Sequence, residues 1–352
     1  MDAEPHLLSL PRADVEAIVA VVGPLWQRLA GQRLLLTGGT GFIGKWLLAS
    51  FLEANRSLGL GARVVLVSRR PEVFLAKYPD LMSAPEIEWW TGDVRSLTPS
   101  AAAHCAFAIH AATDVMAKST PAEILDTCIT GTGRVLEAMS TGDGTRRLLL
   151  LSSGGVYGRA PEGVSHFSED WRGAPDPLAP SSAYGEGKRV SELLAAISAN
   201  QHPGLEVSIA RCFAFVGPLL PLDKHFAIGN FIASAMSGED IHISGDGTPL
   251  RSYLYAGDLA HWLWVMLFQA PNARAYNVGG EESLSITALA ERVNTVLGGK
   301  GMVLVANEPK PGTPAQPYLP SLERIRSELN LSPSIGLDDA IRRTAEWAKK
   351  QG

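Results

Sequence analysis

The sequence predicts an α/β fold in which a parallel sheet is covered by helices on both faces. Short apolar runs alternate with segments of helical periodicity through the first part of the chain. The first run, residues 34–36, ends at Thr37, and glycines at spacing three follow it, at Gly38, Gly41 and Gly44. A strand, a tight glycine turn and a helix in this order indicate a doubly wound sheet of the Rossmann type. Its ligand should lie at the carboxyl ends of the strands.

The other elements of this sheet follow in the same alternation. Apolar runs without polar alternation predict strands buried on both faces, and they cover residues 63–68, 87–91, 106–112, 147–153 and 207–213. Helical periodicity covers residues 11–29, 114–139 and 183–199. We expect the second of these helices to be interrupted at residues 131–133, and Ser181 and Ser182 to cap the third.

The second half of the chain predicts a smaller α/β lobe. Short strands are expected at 251–255 and 276–278, with Asp258 capping a helix that runs to Gln269. Further helices are expected near 226–236, 286–297, 322–329 and 337–349. We therefore predict a helical extension over 1–30, a dinucleotide-binding domain over 31–217 with returns near 251–280, and a substrate-binding lobe over 218–352 that is interleaved with it.

Composition excludes several classes of function. The chain of 352 residues is 46% hydrophobic and 19% charged with a net charge of −5, which is typical of a globular cytoplasmic protein. Lys/Arg-rich runs are absent, so nucleic acid is not an expected partner. No signal peptide or apolar run of membrane-spanning length is present. The three cysteines, Cys105, Cys128 and Cys212, are scattered in apolar surroundings, which predicts reduced core thiols and no metal site.

The glycine turn and one helix carry the chemistry. Glycines let the backbone approach a pyrophosphate, and the N-terminus of the following helix favours the anion; the alternative is a glycine turn without a ligand. Tyr184 and Lys188 lie four apart on a predicted helix, so they share a face. A lysine ammonium lowers the pKa of a neighbouring phenol and makes it a general acid/base. Ser152 and Ser153 end a strand, where a hydroxyl can bond a reacting oxygen; the alternative is a solvated strand end.

Together these segments resemble the extended short-chain dehydrogenase/reductase family, especially its nucleotide-sugar epimerases and dehydratases. The likeness covers about residues 33–347, and its order and spacing are specific for the family, though not for one substrate. The matching segments are Thr37-Gly38-x-x-Gly41-x-x-Gly44, Gly92-Asp93-Val94, His110-Ala111-Ala112, Ser152-Ser153-Gly154-Gly155-Val156-Tyr157-Gly158, Tyr184-x-x-x-Lys188, Gly217-Pro218, Arg251-x-Tyr253-x-Tyr255 and Tyr276-Asn277-Val278-Gly279.

The resemblance implies a role for several of these residues. It implies that the dinucleotide is bound by Gly38, Gly41, Phe42, Ile43, Gly44, Asp93, Val94, Ala111, Ala112, Thr113, Tyr184 and Lys188. Catalysis is implied for Ser153, Tyr184 and Lys188, with Tyr184 as the acid/base. Substrate contacts are implied for Thr113, Ser153 and Arg251. Arg251 would bind a phosphate of the sugar nucleotide, and its alternative is a surface ion pair.

Two glycines depart from the family pattern near the catalytic serine. In dehydratases and some decarboxylases of the family, acidic residues follow the catalytic hydroxyl, whereas this chain has Gly154 and Gly155. Glycine cannot transfer protons, which argues against 4,6-dehydration. Hydride transfer to and from a sugar carbon needs only Ser153, Tyr184, Lys188 and a nicotinamide, so epimerisation or ketone reduction fits better.

The end of the second strand bears on the cofactor. NAD-selective members of the family have Asp or Glu there, whereas this chain has Ser68-Arg69-Arg70. Because arginine pairs with a 2′-phosphate, we favour NADP, with NAD as the other possibility; the arginines could also simply face solvent. Cys128 and Ala214 stand where many relatives have Asn, and the second change puts the usual pose of the nucleotide diphosphate in doubt.

The leading hypothesis is an NAD(P)-dependent nucleotide-sugar epimerase acting at C4 by transient hydride transfer. A nucleotide-linked keto-sugar reductase is the first alternative, and NADP preference would support it because an epimerase needs no external reductant. A 4,6-dehydratase and a non-catalytic dinucleotide-binding protein are more remote. The expected partner is a nucleotide-diphosphate sugar, and the family expectation for assembly is a homodimer.

Overall fold

The computed structural model describes residues 8–113, 119–141, 144–223, 226–310, 312 and 314–351. Its strands are β1 Arg33–Thr37, β2 Arg63–Ser68, β3 Ile87–Thr91, β4 Cys105–His110, β5 Arg146–Ser153, β6 Leu205–Cys212, β7 Phe215–Val216, β8 Ile241–Ile243, β9 Leu250–Arg251, β10 Leu254–Tyr255, β11 Arg274–Val278, β12 Leu284–Ser285, β13 Val303–Val305 and β14 Pro317–Tyr318. The α-helices are α1 Arg12–Val22, α2 Phe42–Leu58, α3 Pro71–Lys77, α4 Pro121–Ser140, α5 Ala183–Gln201, α6 Ala227–Ser237, α7 Ala256–Gln269, α8 Ile286–Leu297, α9 Glu323–Leu329 and α10 Leu337–Gln351.

Seven strands form one sheet in the order β11-β6-β5-β4-β1-β2-β3. β1 pairs in parallel with β2 on one side and with β4 on the other, so that Leu35 lies opposite Val65 and Ala108. The strand order therefore reverses at β1, and the crevice at such a reversal is where open α/β sheets bind ligands. The predicted Rossmann-type fold is confirmed.

The core of this sheet follows from its apolar strands. Leu34, Leu35 and Leu36 of β1 are each 1% exposed or less, because helices cover both faces. Leu35 belongs to a buried cluster that also contains Val135 of α4 and Ala195 of α5. Burying such a side chain contributes about 1.5–3 kcal/mol to the stability of the fold. The packed core therefore holds the strands in place, and with them the strand ends that border the site.

The chain divides into two compact units that are interleaved along the sequence. The first combines the chain up to Val156 with Ala174–Arg211 and Ala260–Tyr276. The second combines Tyr157–Gly173 and Cys212–Leu259 with the chain from Asn277 onward. The first unit holds nearly all of the large sheet, and the second holds the small sheets β10-β7, β12-β9-β14 and β13-β8.

Two predicted helix features are wrong. Helix α4 continues without a break through residues 131–133. Gly131 faces Val94, whose Cγ1 would lie 2.9 Å from an added Cβ, so the glycine permits close packing of the helix instead of interrupting it. Ser182 makes no capping bond to α5, because it already has helical dihedrals at the end of a 3₁₀ turn. Residues 114–118 of the predicted helix lie outside the described residues.

Two predictions in the second half also need correction. Asp258 lies inside the first turn of α7, and its carboxylate accepts hydrogen bonds from the backbone N–H groups of Ser334 and Ile335 at 2.9 and 3.0 Å. It therefore holds a neighbouring segment and does not cap its own helix. The strand predicted at 251–255 is two short strands, β9 and β10, which belong to different sheets.

The predicted N-terminal extension belongs to the first unit from residue 8 onward, and its residues 1–7 lie outside the described residues. Its helix α1 is followed by a 3₁₀ turn over Gly23–Leu29 that contains the fully buried Trp26. The rings of Trp26 and Trp264 lie 4.7 Å apart, and Trp26 donates a hydrogen bond to the carbonyl of Val19 at 3.1 Å. The extension is thus anchored to α7 by aromatic contact. Among the described residues, no helix has the length and apolarity needed to cross a membrane.

Candidate dinucleotide and catalytic site

The glycine turn between β1 and α2 brings the backbone close to the end of β4. Gly38 has a φ of 71°, and an added Cβ would lie 2.6 Å from the carbonyl carbon of Ala111. At Gly44 an added Cβ would lie 2.2 Å from the carbonyl oxygen of Gly38. Among the described residues, no side chain caps α2 after Gly41, and such an uncapped helix N-terminus suits the binding of an anion. The turn therefore has the shape of a phosphate cradle.

A cavity of about 510 Å³ lies beside this turn, at the ends of β2, β3 and β4. Predicted cofactor residues that line it are Gly38, Gly41, Ser68, Arg69, Arg70, Asp93, Val94, Ala111, Ala112 and Thr113. The lining also includes Lys45, Lys77 and Tyr78, which the sequence analysis did not identify. Phe42, Ile43 and Gly44 occupy the first turn of α2 without lining the cavity, so a role for them stays a prediction.

Asp93 at the end of β3 is engaged by a neighbouring arginine. Arg95 donates to both carboxylate oxygens of Asp93 at 2.9 and 3.0 Å, and it also donates to Asp126 at 2.8 Å. The hydrogen bonds from the Arg95 side chain lower the pKa of Asp93, and burial opposes them. Asp93 therefore stays ionised at neutral pH, and its charge is balanced by Arg95 within the cavity wall.

Tyr184 and Lys188 lie one turn apart on α5, as predicted. The Lys188 ammonium is 5.9 Å from the centre of the Tyr184 ring. It donates to Thr113 Oγ1 and to the carbonyl oxygen of Leu151, each at 2.7 Å. Lys188 is 3% exposed, so these bonds fix the position of a buried positive charge next to the phenol. Thr113 also lines the cavity, and it thereby connects the cavity with the tyrosine–lysine pair.

Ser153 comes close to the same tyrosine. A Cβ added at Gly155 would lie 3.4 Å from Ser153 Oγ and 3.7 Å from Tyr184 Cδ1. The side chains of Ser153 and Tyr184 therefore both border the position of Gly155. Ser153 Oγ also accepts a hydrogen bond from the N–H of Gly155 at 3.0 Å. Ser152 and Ser153 are 2% and 5% exposed, which rules out a solvated strand end.

An ion pair missed by the sequence analysis supports the end of β5. Glu192 of α5 accepts a hydrogen bond from Ser152 Oγ at 2.5 Å. Arg211 of β6 donates to the same carboxylate through Nε at 3.0 Å and Nη2 at 2.7 Å. This group ties β5, β6 and α5 together directly behind Ser153. The sequence held no local signal for it, because the partners come from three separate elements.

A second missed feature is a buried chain of hydrogen bonds that contains His110. Its Nδ1 lies 2.7 Å from Thr37 Oγ1, and its Nε2 lies 3.2 Å from Thr132 Oγ1, which donates to Ser191 at 3.0 Å. Burial, with a smaller contribution from the positive charge of Lys188, lowers the pKa of His110 to about 3. A neutral imidazole therefore links β1, β4 and α4 below the site.

The remaining predicted residue, Arg251, belongs to the second unit. Its guanidinium carbon lies 5.3 Å from the ring centre of Tyr318, and Nη1 donates to the carbonyl of Leu250 at 2.8 Å. Among the described residues it makes no ion pair, which disfavours the alternative of a surface ion pair. Its role in phosphate binding stays a prediction. Cys105, Cys128 and Cys212 are buried and form no disulfide among the described residues, as predicted for core thiols.

Comparison with known proteins identifies the family. Residues 34–279 match the NAD dependent epimerase/dehydratase family. The chain belongs to this family. The resemblance to the extended short-chain dehydrogenase/reductase enzymes is thereby confirmed, and so is the predicted class of enzyme.

Individual relatives within the family carry different activities. UDP-glucuronic acid decarboxylase 1 of Arabidopsis thaliana is 30% identical over 317 residues, which are 88% of this chain and 68% of that protein. The dTDP-glucose 4,6-dehydratase of Streptomyces niveus is 28% identical over 322 residues, which are 90% of this chain and 92% of that protein.

Solved structures show the same fold. UDP-glucuronic acid 4-epimerase of Bacillus cereus, in complex with UDP-glucuronic acid and NAD, matches with a TM-score of 0.75. The two sequences are 21% identical, and the matched region covers 91% of this chain and 100% of the epimerase chain. At this identity the likeness concerns the fold alone, and the reaction must be argued from the residues of this chain.

Proposed function

We propose that this protein is an NADP-dependent epimerase that inverts C4 of a sugar attached to a nucleotide diphosphate. The observation that carries the proposal is the group of Ser153, Tyr184 and Lys188 beside Gly154 and Gly155. This group can move a proton to and from a hydroxyl. The two positions after Ser153 bear no carboxylate of the kind that a 4,6-dehydration uses.

Tyr184 acts as the single acid/base. Its phenolic oxygen takes the proton of the sugar hydroxyl when that carbon is oxidised, and returns it to the same oxygen when the other face is reduced. Because the proton leaves and rejoins one oxygen, no second acid is required. The buried ammonium of Lys188, fixed by Thr113 and Leu151, stabilises the phenolate form of Tyr184.

Ser153 stabilises the oxygen at which negative charge develops. Its hydroxyl is held by the N–H of Gly155, so its direction is set before the substrate arrives. Gly155 places no side chain next to Ser153 and Tyr184, where a Cβ would already contact both of them.

The cavity of the first unit fits a dinucleotide. The close backbone approach at Gly38 and Gly44 forms a cradle that a side chain would fill, and Arg69 and Arg70 add positive charge at the end of β2. When bound, the nicotinamide supplies the acceptor for the hydride of the sugar and the donor for its return. The two arginines favour NADP, since NAD-selective relatives have a carboxylate there. The Bacillus cereus epimerase contains NAD.

The proposed substrate class rests on the family. The named relatives act on UDP-linked and dTDP-linked sugars. Arg251 is the proposed ligand for a phosphate of such a substrate. Ala214 replaces an Asn that many relatives have, so we propose that the diphosphate depends more on Arg251 in this chain than in those enzymes.

The test is to incubate the purified protein and a catalytic amount of NADP⁺ with UDP-glucose, UDP-glucuronic acid or dTDP-glucose, and to follow products by NMR. We expect a C4 epimer without net formation of NADPH. Release of CO₂ from UDP-glucuronic acid would instead indicate decarboxylation, the activity named for the Arabidopsis relative. Stoichiometric oxidation of NADPH by a keto-sugar nucleotide would indicate a reductase, the alternative that Arg69 and Arg70 favour.

The acid/base assignment has its own test. Tyr184→Phe keeps the ring and removes the proton-transferring oxygen, so turnover should fall by about 10²–10⁴-fold. Tyr255→Phe is a matched control, because this buried tyrosine lies in the second unit and keeps its ring. Full turnover of the Tyr184 variant would refute the assignment. Failure of the wild-type protein to bind any nicotinamide dinucleotide would refute the proposal as a whole.

A further inference from the structure

The cavity has a cationic wall that the glycine turn and the predicted arginines do not account for. Lys45 lies in the first turns of α2, immediately after Gly44, and Lys77 is the last residue of α3. Both line the cavity together with Arg69 and Arg70. These four cations come from two helices and the segment after β2, so the fold has gathered them from separate parts of the chain.

Neither lysine is neutralised by the protein. Among the described residues, no carboxylate lies within ion-pair distance of the Lys45 or Lys77 ammonium. Burial, with a smaller contribution from the positive charge of Lys77, lowers the pKa of Lys45 to about 8. Lys45 is half-buried and Lys77 is exposed. The charge of Lys45 is repelled by that of Lys77 and has no carboxylate of the described residues to balance it, so an anion bound beside the two ammonium groups would stabilise it.

A buried hydroxyl at the same place also has no partner. Tyr78 is 4% exposed and lines the cavity, yet its phenolic oxygen makes no hydrogen bond among the described residues. Leaving such a group unsatisfied costs about 1–3 kcal/mol, so buried polar groups normally find a partner. A ligand in the cavity would supply an acceptor. The ring of Tyr78 is held by Phe74 at 4.9 Å, which keeps the hydroxyl in position.

We infer that Lys45, Lys77 and Tyr78 form a phosphate-binding subsite that, with Arg69 and Arg70, takes the 2′-phosphate of NADP. The inference rests on the proposed function and adds the residues that set its cofactor preference. The position favours the 2′-phosphate over the pyrophosphate: Arg69, Arg70, Lys77 and Tyr78 all follow β2, whose end faces the adenosine ribose in this fold. NAD offers only a hydroxyl there, which leaves both ammonium groups uncompensated.

The test measures binding, without turnover, by isothermal titration of the full-length protein with NADP⁺, NAD⁺ and the fragment 2′,5′-ADP. The wild-type protein should bind NADP⁺ about 10- to 100-fold more tightly than NAD⁺. Lys45→Met and Lys77→Met should each weaken NADP⁺ and 2′,5′-ADP by about tenfold or more and change NAD⁺ by less than about twofold. Tyr78→Phe should weaken the same two ligands by about threefold.

Control variants separate contact from folding. Lys349→Met removes a lysine from α10 in the second unit and should leave all three affinities unchanged. Lys45→Arg keeps the charge and should retain the preference for NADP⁺. Thermal unfolding checks each variant, and Lys77→Met on the exposed end of α3 carries the test if Lys45→Met fails to fold.

Three outcomes would overturn the inference. Equal losses for NADP⁺ and NAD⁺ would place these residues on the pyrophosphate. Unchanged affinities in the variants would show that they do not contact the ligand. A wild-type protein without preference for NADP⁺ would remove the premise. If the preference and the losses are found while no nucleotide sugar is epimerised, the subsite stands and the proposed reaction falls.

Discussion

Two parts of the first unit differ in how their polar groups are satisfied. Around Ser153, Tyr184 and Lys188, the described hydrogen bonds already fix the ammonium and the serine hydroxyl through protein partners. Around Lys45, Lys77 and Tyr78, two ammonium groups and a phenol face the cavity without carboxylate or hydrogen-bond partners among the described residues.

The difference separates catalysis from recognition. A group that must transfer a proton in the same geometry at every turnover benefits from being positioned in advance. A group that must distinguish a phosphate from a hydroxyl gains most when the phosphate is its only strong partner, since the wrong ligand then leaves it unsatisfied. Substitutions should therefore affect turnover in the first region and ligand preference in the second.

The largest effect is expected at Lys188. In Lys188→Met the bonds to Thr113 and Leu151 disappear and the phenolate of Tyr184 loses its stabilising charge. Turnover should fall by about 10³-fold, or about 4 kcal/mol in activation free energy. The pH at which activity rises should also move upward. Measurement of kcat against pH checks both, with Lys349→Met as control; a loss below about tenfold would contradict the pre-positioned role.

The next effect concerns stability in acid. The pKa of His110 is about 3 in the folded protein and about 6.5 in the unfolded chain. Because the unfolded state binds the proton first, stability contributed by neutral His110 is complete above about pH 6.5 and is lost as pH falls towards 3. Between pH 7 and pH 4 it should amount to about 3 kcal/mol.

Urea unfolding of the wild-type protein and of His110→Asn at several pH values checks this expectation. The variant should be less stable at pH 7, and the difference should shrink as the pH falls. His166→Asn, at an exposed position, is the matched control. A difference that stays constant down to pH 4 would show that His110 is not the group that titrates. Because His110 lies below the catalytic region, His110→Asn should leave the preference between NADP and NAD unchanged.

A smaller effect is expected on ligand binding at the second region, around Lys45, Lys77 and Tyr78. Since the pKa of Lys45 is about 8, its charge is present at pH 7 and lost as pH rises through 8. Affinity for 2′,5′-ADP should therefore fall by about tenfold from pH 7 to pH 9, where the phosphate stays dianionic. The other charged residues lining the cavity are Arg69, Arg70, Lys77, Asp93, Arg95 and Glu123.

Lys45→Arg isolates the titration of Lys45 from these neighbours. Arginine keeps its proton at both pH values, so affinity for 2′,5′-ADP should become nearly independent of pH in this range. A variant that shows the same tenfold loss as the wild-type protein would show that Lys45 is not the group that titrates.

The smallest effect is expected at Thr113, which connects the two regions. Thr113→Val removes the hydroxyl that accepts a bond from Lys188 and keeps the shape of the side chain. Turnover should fall by about three- to tenfold, because Lys188 retains the carbonyl of Leu151. Thr113→Ser should restore most of it. Steady-state kinetics of the pair provides the check, and equal losses in both variants would indicate packing in place of hydrogen bonding.

The sequence by itself determined the sheet, the glycine turn and the pairing of Tyr184 with Lys188. These features depend on periodicities of two or three and a half residues and on spacings within one element, which a linear pattern records directly. The sequence also indicated that Arg69 and Arg70 lie at the cofactor site, because both directly follow the predicted second strand. The Rossmann-type fold and the family followed from these local signals.

Only the tertiary structure assembled what comes from distant positions. Glu192 meets Arg211 behind Ser152, and His110 meets Thr132, because separate elements are packed against one sheet. Lys45 and Lys77 share a wall for the same reason, although Lys45 directly follows the glycine turn and offered a local hint. At Gly131 the local pattern was misleading. The glycines at 131 and 133 suggested a break in the helix, but α4 is continuous there and Gly131 packs against Val94. Contacts between elements depend on the packing of the sheet, which no local pattern encodes.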